Sequence, residues 1–431
     1  MKGYSAPGTP AKYNKVGVIR IGPSSAKNVL VLEPGTSAGS AYFVPLAKWI
    51  VSKTSGWQVW SVERRENLLE DQSELNLAKE GKATATQLFD YYLGYLKDPS
   101  ITHHFQPIPT SSVEFAKQWG MNVAVQDLHR VINAAKRLGG KVVLGGHSLG
   151  GSVVTAYATW DFNGKAGADA LAGLVYIDGG SAPSAISAQQ ATETLQALDV
   201  PSVTPWLAFG GIAAPYAGLF NVTGSLAALL FPNQPSLGQI SGLLPSDIVP
   251  AVRVTNLGQY GYALNASTSP PSLLAAQAHL GQGLTASGSI RGWNGAGALT
   301  PIKRFATMFS GYPMKSVDGT EWYFPQRLTD DTGAVDNGNA NPAQGVLGVD
   351  ATMGHALPKN LLIYAFGARL GGASVLADAQ LLAKQSGIPQ GNLTLVNRQS
   401  TYSHNDPAGA YPNNVLFVHL VPFLKRISSH G

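Results

Sequence analysis

The sequence predicts an α/β protein built on a mostly parallel sheet flanked by helices, with one large insertion. Three observations predict it. Short apolar runs recur between helical patterns, as in Val29-Leu30-Val31-Leu32, Val142-Val143-Leu144 and Leu174-Val175-Tyr176-Ile177, which suits strands buried on both faces. Their strand, helix, strand order implies parallel neighbours joined by right-handed crossovers. The alternation stops at Ser181 and resumes only at Leu361.

The first element is the alternating strand Lys15 to Ile21, closed by the turn Gly22-Pro23-Ser24-Ser25. The buried run Val29 to Leu32 ends in Glu33-Pro34-Gly35-Thr36-Ser37-Ala38-Gly39-Ser40, followed by a helix with an apolar stripe through Phe43, Leu46, Ile50 and Val51. Trp57 to Val62 is the next strand. Arg64-Arg65 then opens a long excursion to about Gly120, with an aromatic helix around Phe89, Tyr91, Tyr92 and Tyr95. A helix from Val123 to Leu138 leads into Val142-Val143-Leu144, a second helix runs to about Trp160, and Leu174 to Ile177 ends in Asp178-Gly179-Gly180. Residues 181–357 are rich in proline, glycine and aromatics, with short helical patterns at Ser187 to Leu198 and Leu273 to Leu280. So long a stretch between two sheet strands reads as a subdomain rather than a loop. Leu361 to Phe366, the helix Ser374 to Gln385, the strand Leu393 to Val396 and the helix Val415 to Ile427 complete the chain.

Composition excludes several classes of function. With 431 residues and 44% hydrophobic content the chain has enough material for one large core and a second subdomain. No apolar run approaches the roughly 18 residues of a membrane span. The net charge of +5 is spread without a basic block, so nucleic acid is not an expected partner. There are 0 cysteines, hence no disulfide and no thiolate metal site. Charged residues make up 13%, a weakly charged polar surface that favours an extracellular or periplasmic protein. Met1 to Pro10 holds no apolar signal core, as in a secreted protein whose signal peptide has been removed. The run Asp330-Asp331-Thr332-Gly333-Ala334-Val335-Asp336-Asn337-Gly338-Asn339 lacks the ligand spacing of a calcium loop and reads as a solvated turn.

The chemistry gathers at Gly146-His147-Ser148-Leu149-Gly150. In a chain with 49 glycines a bare G-x-S-x-G says little, but here a buried strand precedes it and the helical Gly151 to Tyr157 follows. A sharp strand-to-helix turn would lift the Ser148 hydroxyl above the sheet edge. Serine needs a neighbouring base, and histidine is the usual one. Of nine histidines, His404 stands out, because Ser400 to Pro407 is the loop beyond the carboxyl end of the last strand. His147 sits inside the turn and is expected to pack or bond to backbone. His279 belongs to the insertion, His355 lies at the wrong strand end, and His419 and His430 lie in the final helix and tail.

Pro34-Gly35-Thr36, the Ser148 motif, a strand-end Asp178 and a late His404 occur in the order expected of the α/β-hydrolase superfamily, and the chain resembles its lipase and esterase members. The resemblance covers a split core, residues 12–180 and 358–431, and implies that 181–357 form an inserted cap or lid. It implies a catalytic acid after the strand that follows the cap, but Gly367-Ala368-Arg369-Leu370-Gly371-Gly372 holds no carboxylate. Some members place the acid one strand earlier, where Asp178 stands. Asp406, only two residues from His404, is the rival, and Asp378 lies inside a helix. For the oxyanion the Leu149 amide is the natural first donor, and the resemblance supplies the Thr36 amide as the second. Glu33 reads as a buried anchor, and Arg64 and Arg65 as the salt-bridged base of a loop, paired with Glu70, Asp71 or each other's neighbours.

The expected reaction is cleavage of a small-molecule or lipid-like carboxylic ester through an acyl-enzyme on Ser148, with no cofactor and no metal. The aromatic cap suits a hydrophobic or bulky substrate. A proline-type peptidase or amidase is the alternative on the same fold, and a catalytically silent binding protein is the reading from another class.

Overall fold

The computed structural model describes residues 1–180 and 184–429; residues 181–183, where the insertion is expected to begin, and His430 lie outside the described residues. Seven strands form the main sheet: β1 (Gly17–Ile21), β2 (Asn28–Glu33), β3 (Trp57–Glu63), β4 (Val142–His147), β5 (Gly173–Ile177), β6 (Leu362–Gly367) and β7 (Leu393–Asn397). Their spatial order is β1-β3-β2-β4-β5-β6-β7, with β1 antiparallel to β3 and every other neighbouring pair parallel.

Side-chain alternation divides the core into two layers. On one face Val29, Val31, Leu144, Leu174 and Ile363 pack with the helices α1 (Met121–Lys136), α2 (Leu149–Thr159) and α3 (Gly372–Ser386). On the other, Leu30, Leu32, Val143, Val175 and Tyr364 meet the helices Val44–Lys53, Ile302–Ser310 and Val415–Ser429. With both faces covered, β4 to β6 are buried along their whole length, which is why they read as apolar runs rather than alternating ones.

Among the described residues between β5 and β6, helices alternate with loops and one two-stranded ribbon, Gly283–Leu284 with Trp293–Asn294. The longest helix there is Tyr216–Leu230, in which Gly218, Asn221, Thr223, Gly224 and Ser225 interrupt the apolar stripe. The helix expected at Leu273 to Leu280 is a 3-10 turn, Pro271–Ala276, that gives way to extended backbone at Gln277. The Pro270-Pro271 pair disfavours a regular start, and the extended part makes a bridge between Asn265 and Ala278. Apolar contacts cut across the expected domain boundary. Phe324, Leu328, Val335, Leu347 and Leu357 join the first core layer. Residues of the excursion, Leu75, Leu88, Tyr92 and Phe105, form a third cluster with Trp206, Leu219, Leu226 and Trp322.

The parallel register brings one end of each strand to a common edge. Glu33 is opposite Gly146, His147 opposite Ile177, Ile177 opposite Phe366, and Phe366 opposite Val396. The segments after β2, β4, β5, β6 and β7 therefore meet above that edge. The turn after β4 tolerates no side chain at Gly146, where a Cβ would lie 2.2 Å from the Gly150 carbonyl oxygen. Gly146→Ala is expected to lower unfolding free energy by about 2 kcal/mol or more. Gly345→Ala, in open helical space, is expected to be neutral or stabilising by up to about 1 kcal/mol. Urea titration of the two variants checks both.

Candidate active site

Ser148 follows β4 directly and is the cap residue of α2, with φ 56° and ψ −130°. A non-glycine residue with positive φ is costly and persists only where its surroundings enforce it. The Ser148 amide donates to the Ile177 carbonyl at 3.0 Å, and its carbonyl accepts from Gly151 at 2.8 Å. A Cβ on Gly35 would stand 2.7 Å from the Ser148 Cβ and 3.4 Å from its Oγ, so the loop after β2 presses directly on the serine. Neither the Thr36 nor the Leu149 amide has an acceptor among the described residues. Both are thus free to donate.

His404 is buried at 1% exposure, and its Nδ1 lies 2.6 Å from Asp178 Oδ2. Facing a carboxylate, Nδ1 carries the proton, which leaves the Nε2 lone pair available. Asp178 Oδ1 accepts from the amides of Ala368, Gly371 and Gly372 at 2.6, 2.9 and 3.2 Å, and Oδ2 accepts from Leu370 at 3.2 Å. Those amides belong to the turn that starts α3, where helix donors lack internal partners. The segment that lacks a carboxylate in sequence is thus the cradle for one. Burial works to raise the Asp178 pKa, but the hydrogen bond and charge of His404 and the Ala368 amide outweigh it and hold the group below its ordinary value.

The rival acids are occupied elsewhere or distant from the imidazole. Asp406 Oδ2 lies 2.6 Å from His279 Nδ1 and accepts from the Ser403 amide at 2.7 Å, while Oδ1 accepts from Thr300 and from the His279 amide. Asp378 stands beside Gly180, and burial raises its pKa to about 6. His147 makes the expected backbone bond: its Nε2 lies 2.9 Å from the His404 carbonyl and therefore donates. Burial first, and the charge of His404 second, push His147 down to about 3, so it stays neutral. Its ring stacks on Tyr42, whose hydroxyl donates to Asn405 Oδ1 at 2.9 Å. From the insertion, the carbonyls of Ala275 and Gln277 accept from Asn405 Nδ2. Tyr42, Asn405 and His279 were not singled out as site residues, and only their proximity to Ser148 and His404 in space marks them.

Behind the loop after β2 lies a buried charge cluster. Arg64 contacts Glu33 at 2.8 Å and Glu321 at 2.9 Å, and Arg65 pairs with Asp127 at 2.7 Å. Glu33 is thus an anchor as expected, and Arg64 also lies 3.5 Å from its neighbour Glu66, but in place of Glu70 and Asp71 the closer partners of the arginines are groups distant in sequence. Asp331 of the expected solvated turn is also buried, accepting from the Met121 amide and Arg327.

Thr36, Ser148 and His404 border one cavity, closed on its other sides by Leu88, Phe89, Phe220, Ala227, Leu264 and further apolar side chains. Among the described residues no group of three or more histidine and carboxylate side chains could hold a metal ion, and no helix is long and apolar enough to cross a membrane.

A parallel sheet with one antiparallel edge strand, the order β3-β2-β4-β5-β6-β7, and a serine at the strand-to-helix turn after β4 decide the architecture. The fold is that of the α/β hydrolases. The chain is similar in structure to a putative lipase from Sulfolobus solfataricus, at 15% identity over 99% of this chain and 93% of the other, with a TM-score of 0.49. It is also similar to a soluble variant of monoglyceride lipase from Saccharomyces cerevisiae, at 11% identity over 96% and 92%, TM-score 0.40. A third is the monoacylglycerol lipase of Paleococcus ferrophilus, at 11% over 97% and 100%, TM-score 0.38. No protein-family model matches this hydrolase-fold chain, and no curated protein does.

The charge cluster has a pH signature. Burial, with Asp318 close by, pushes Glu63 well above the carboxylate range, so its neutral form is favoured in the folded chain. A raised folded pKa gives stability that is full below the unfolded value of about 4.3 and is lost as pH rises through the folded one. Melting temperature is therefore expected to fall as pH rises from the unfolded value of about 4.3 toward the folded one, and less steeply in Glu63→Gln, which fixes the neutral form. Parallel melting curves for wild type and variant contradict this.

Proposed function

We propose that the protein is a serine hydrolase that cleaves carboxylic esters through an acyl-enzyme on Ser148. The observation that carries this reading is a serine in a strained strand-to-helix turn bordering the same apolar cavity as a histidine whose other nitrogen is bonded to a buried carboxylate. In this reading His404 Nε2 accepts the Ser148 proton as Oγ attacks the ester carbonyl carbon, and the amides of Thr36 and Leu149 donate to the oxyanion. The imidazolium, stabilised by Asp178, then protonates the leaving alkoxide. Water repeats the cycle on the acyl group, giving its proton to His404 and releasing the acid and free Ser148. The cycle requires no cofactor and no metal.

The residues between β5 and β6 serve as a cap over the site. Its apolar lining, joined by Leu88 and Phe89 from the excursion, supports a substrate with a hydrophobic acyl or aryl group. The described lining residues are apolar, small or neutral polar side chains with two histidines, a lining that supports an uncharged ester.

Turnover of p-nitrophenyl esters by wild type and Ser148→Ala tests the assignment. Loss of at least about 10³-fold in kcat is expected, and an unchanged rate would remove Ser148 from the mechanism. Amide turnover without ester turnover favours the peptidase, and binding without turnover of either favours the silent binding protein. Gly224 borders the cavity, and a Cβ there meets only Tyr260, at 3.6 Å. Gly224→Leu fills that space and is expected to lower kcat/KM for long acyl chains by about tenfold or more while sparing acetate.

A further inference from the structure

We infer that Arg64 is the positioning residue of the oxyanion site, holding the Gly35–Thr36 peptide so that the Thr36 amide faces Ser148. The inference deepens the proposed acyl-transfer reading and rests on it.

The loop after β2 has its carbonyls tied on one side. Arg64 Nη1 donates to the Pro34 carbonyl at 2.9 Å, and Nη2 donates to the carbonyls of Gly35 at 2.8 Å and Ala38 at 3.1 Å. The Ser37 carbonyl accepts from the Glu321 amide at 2.9 Å, with Ser37 itself at φ 54°. In a trans peptide the C=O and N–H point in opposite directions. Pinning the Gly35 carbonyl toward Arg64 therefore turns the Thr36 N–H away from it. That other side is where Gly35 abuts Ser148, and Thr36 borders the same cavity as the serine. The Thr36 amide has no acceptor among the described residues; the Gly35 carbonyl of the same peptide also accepts from the Ala38 amide at 3.3 Å, and Arg64 Nη2 reaches it more closely, at 2.8 Å.

Arg64 is itself immobile. It is 6% exposed, lies on Glu33 and Glu321, and stacks 5.3 Å from the Phe324 ring. Only a planar guanidinium offers donors in enough fixed directions to take three carbonyls and two carboxylates together; an ammonium has three donors on a flexible stem. A cation bonded to the Gly35 oxygen also polarises the peptide, which strengthens the Thr36 N–H as a donor when negative charge develops in front of it.

The test compares wild type, Arg64→Lys and the charge-balanced double variant Arg64→Gln/Glu321→Gln on a p-nitrophenyl ester and on its thiono analogue. Sulfur in place of the carbonyl oxygen is a poor hydrogen-bond acceptor, so the oxo-to-thiono rate ratio reads the oxyanion donors directly. Misdirecting one donor is expected to lower kcat about 10²-fold with KM within about twofold, and to shrink that ratio in proportion. A merely structural role lowers both substrates alike, and a preserved ratio overturns the inference. So does wild-type kcat in Arg64→Lys. If Ser148→Ala keeps full turnover, the acyl-enzyme reading falls first; if Ser148→Ala is inactive and the ratio is preserved in the Arg64 variants, only the role of Arg64 falls. Should neither variant fold, the structure of the wild-type phosphonate adduct decides. A phosphoryl oxygen within hydrogen-bond distance of the Thr36 nitrogen, with Gly35 still on Arg64, supports the inference. A Gly35 carbonyl turned toward Ser148 overturns it.

Discussion

One buried carboxylate ties together the segments that follow three strands. Asp178 extends β5, accepts amides from the turn after β6, and takes the imidazole of His404 from the loop after β7. A buried anion is tolerated only when its oxygens are satisfied, and here five donors surround it. The arrangement explains why the turn after β6 is built of small residues around Gly371 and Gly372: its backbone, not a side chain, has to reach the carboxylate. It also shows how a carboxylate one strand earlier than the resemblance implies still reaches His404.

Two further constraints converge on the same edge. The strained Ser148 is held by backbone bonds to Ile177 and Gly151 and by the close approach of Gly35. The His404 loop is gripped from both sides, by His147 and Tyr42 from the core and by the segment 275–279 from the insertion. Residues 275 and 276 also border the cavity. The insertion therefore shapes the space over Ser148 and positions the histidine loop at the same time. A molecule that fills the cavity touches a segment bonded to Asn405, the neighbour of His404.

Much of this was legible in the sequence because it is local. Buried strands show as apolar runs, and the turn at Ser148 is written in five consecutive residues. The loop carrying His404 follows from its place after the last strand. The absence of a carboxylate from Gly367 to Gly372 points one strand back, to Asp178. What was not legible depends on distant pairing. Arg64 meets Glu33 and Glu321, 31 and 257 residues away, and nothing near Arg64 announces either partner. The helix at 216–230 carries two glycines and three polar residues in its first ten positions, which break the apolar stripe, and it packs against Trp322 and Leu88. The pairing of His279 with Asp406 likewise joins residues 127 apart. It removes the rival acid by a route that spacing alone does not reveal.

The most direct test of the central claim is covalent. Incubation of the folded wild-type chain with a fluorophosphonate ester, followed by intact-mass and peptide mass spectrometry, is expected to give one adduct per chain, on the peptide carrying Ser148. An adduct on another residue, or no adduct while ester turnover proceeds, contradicts the account.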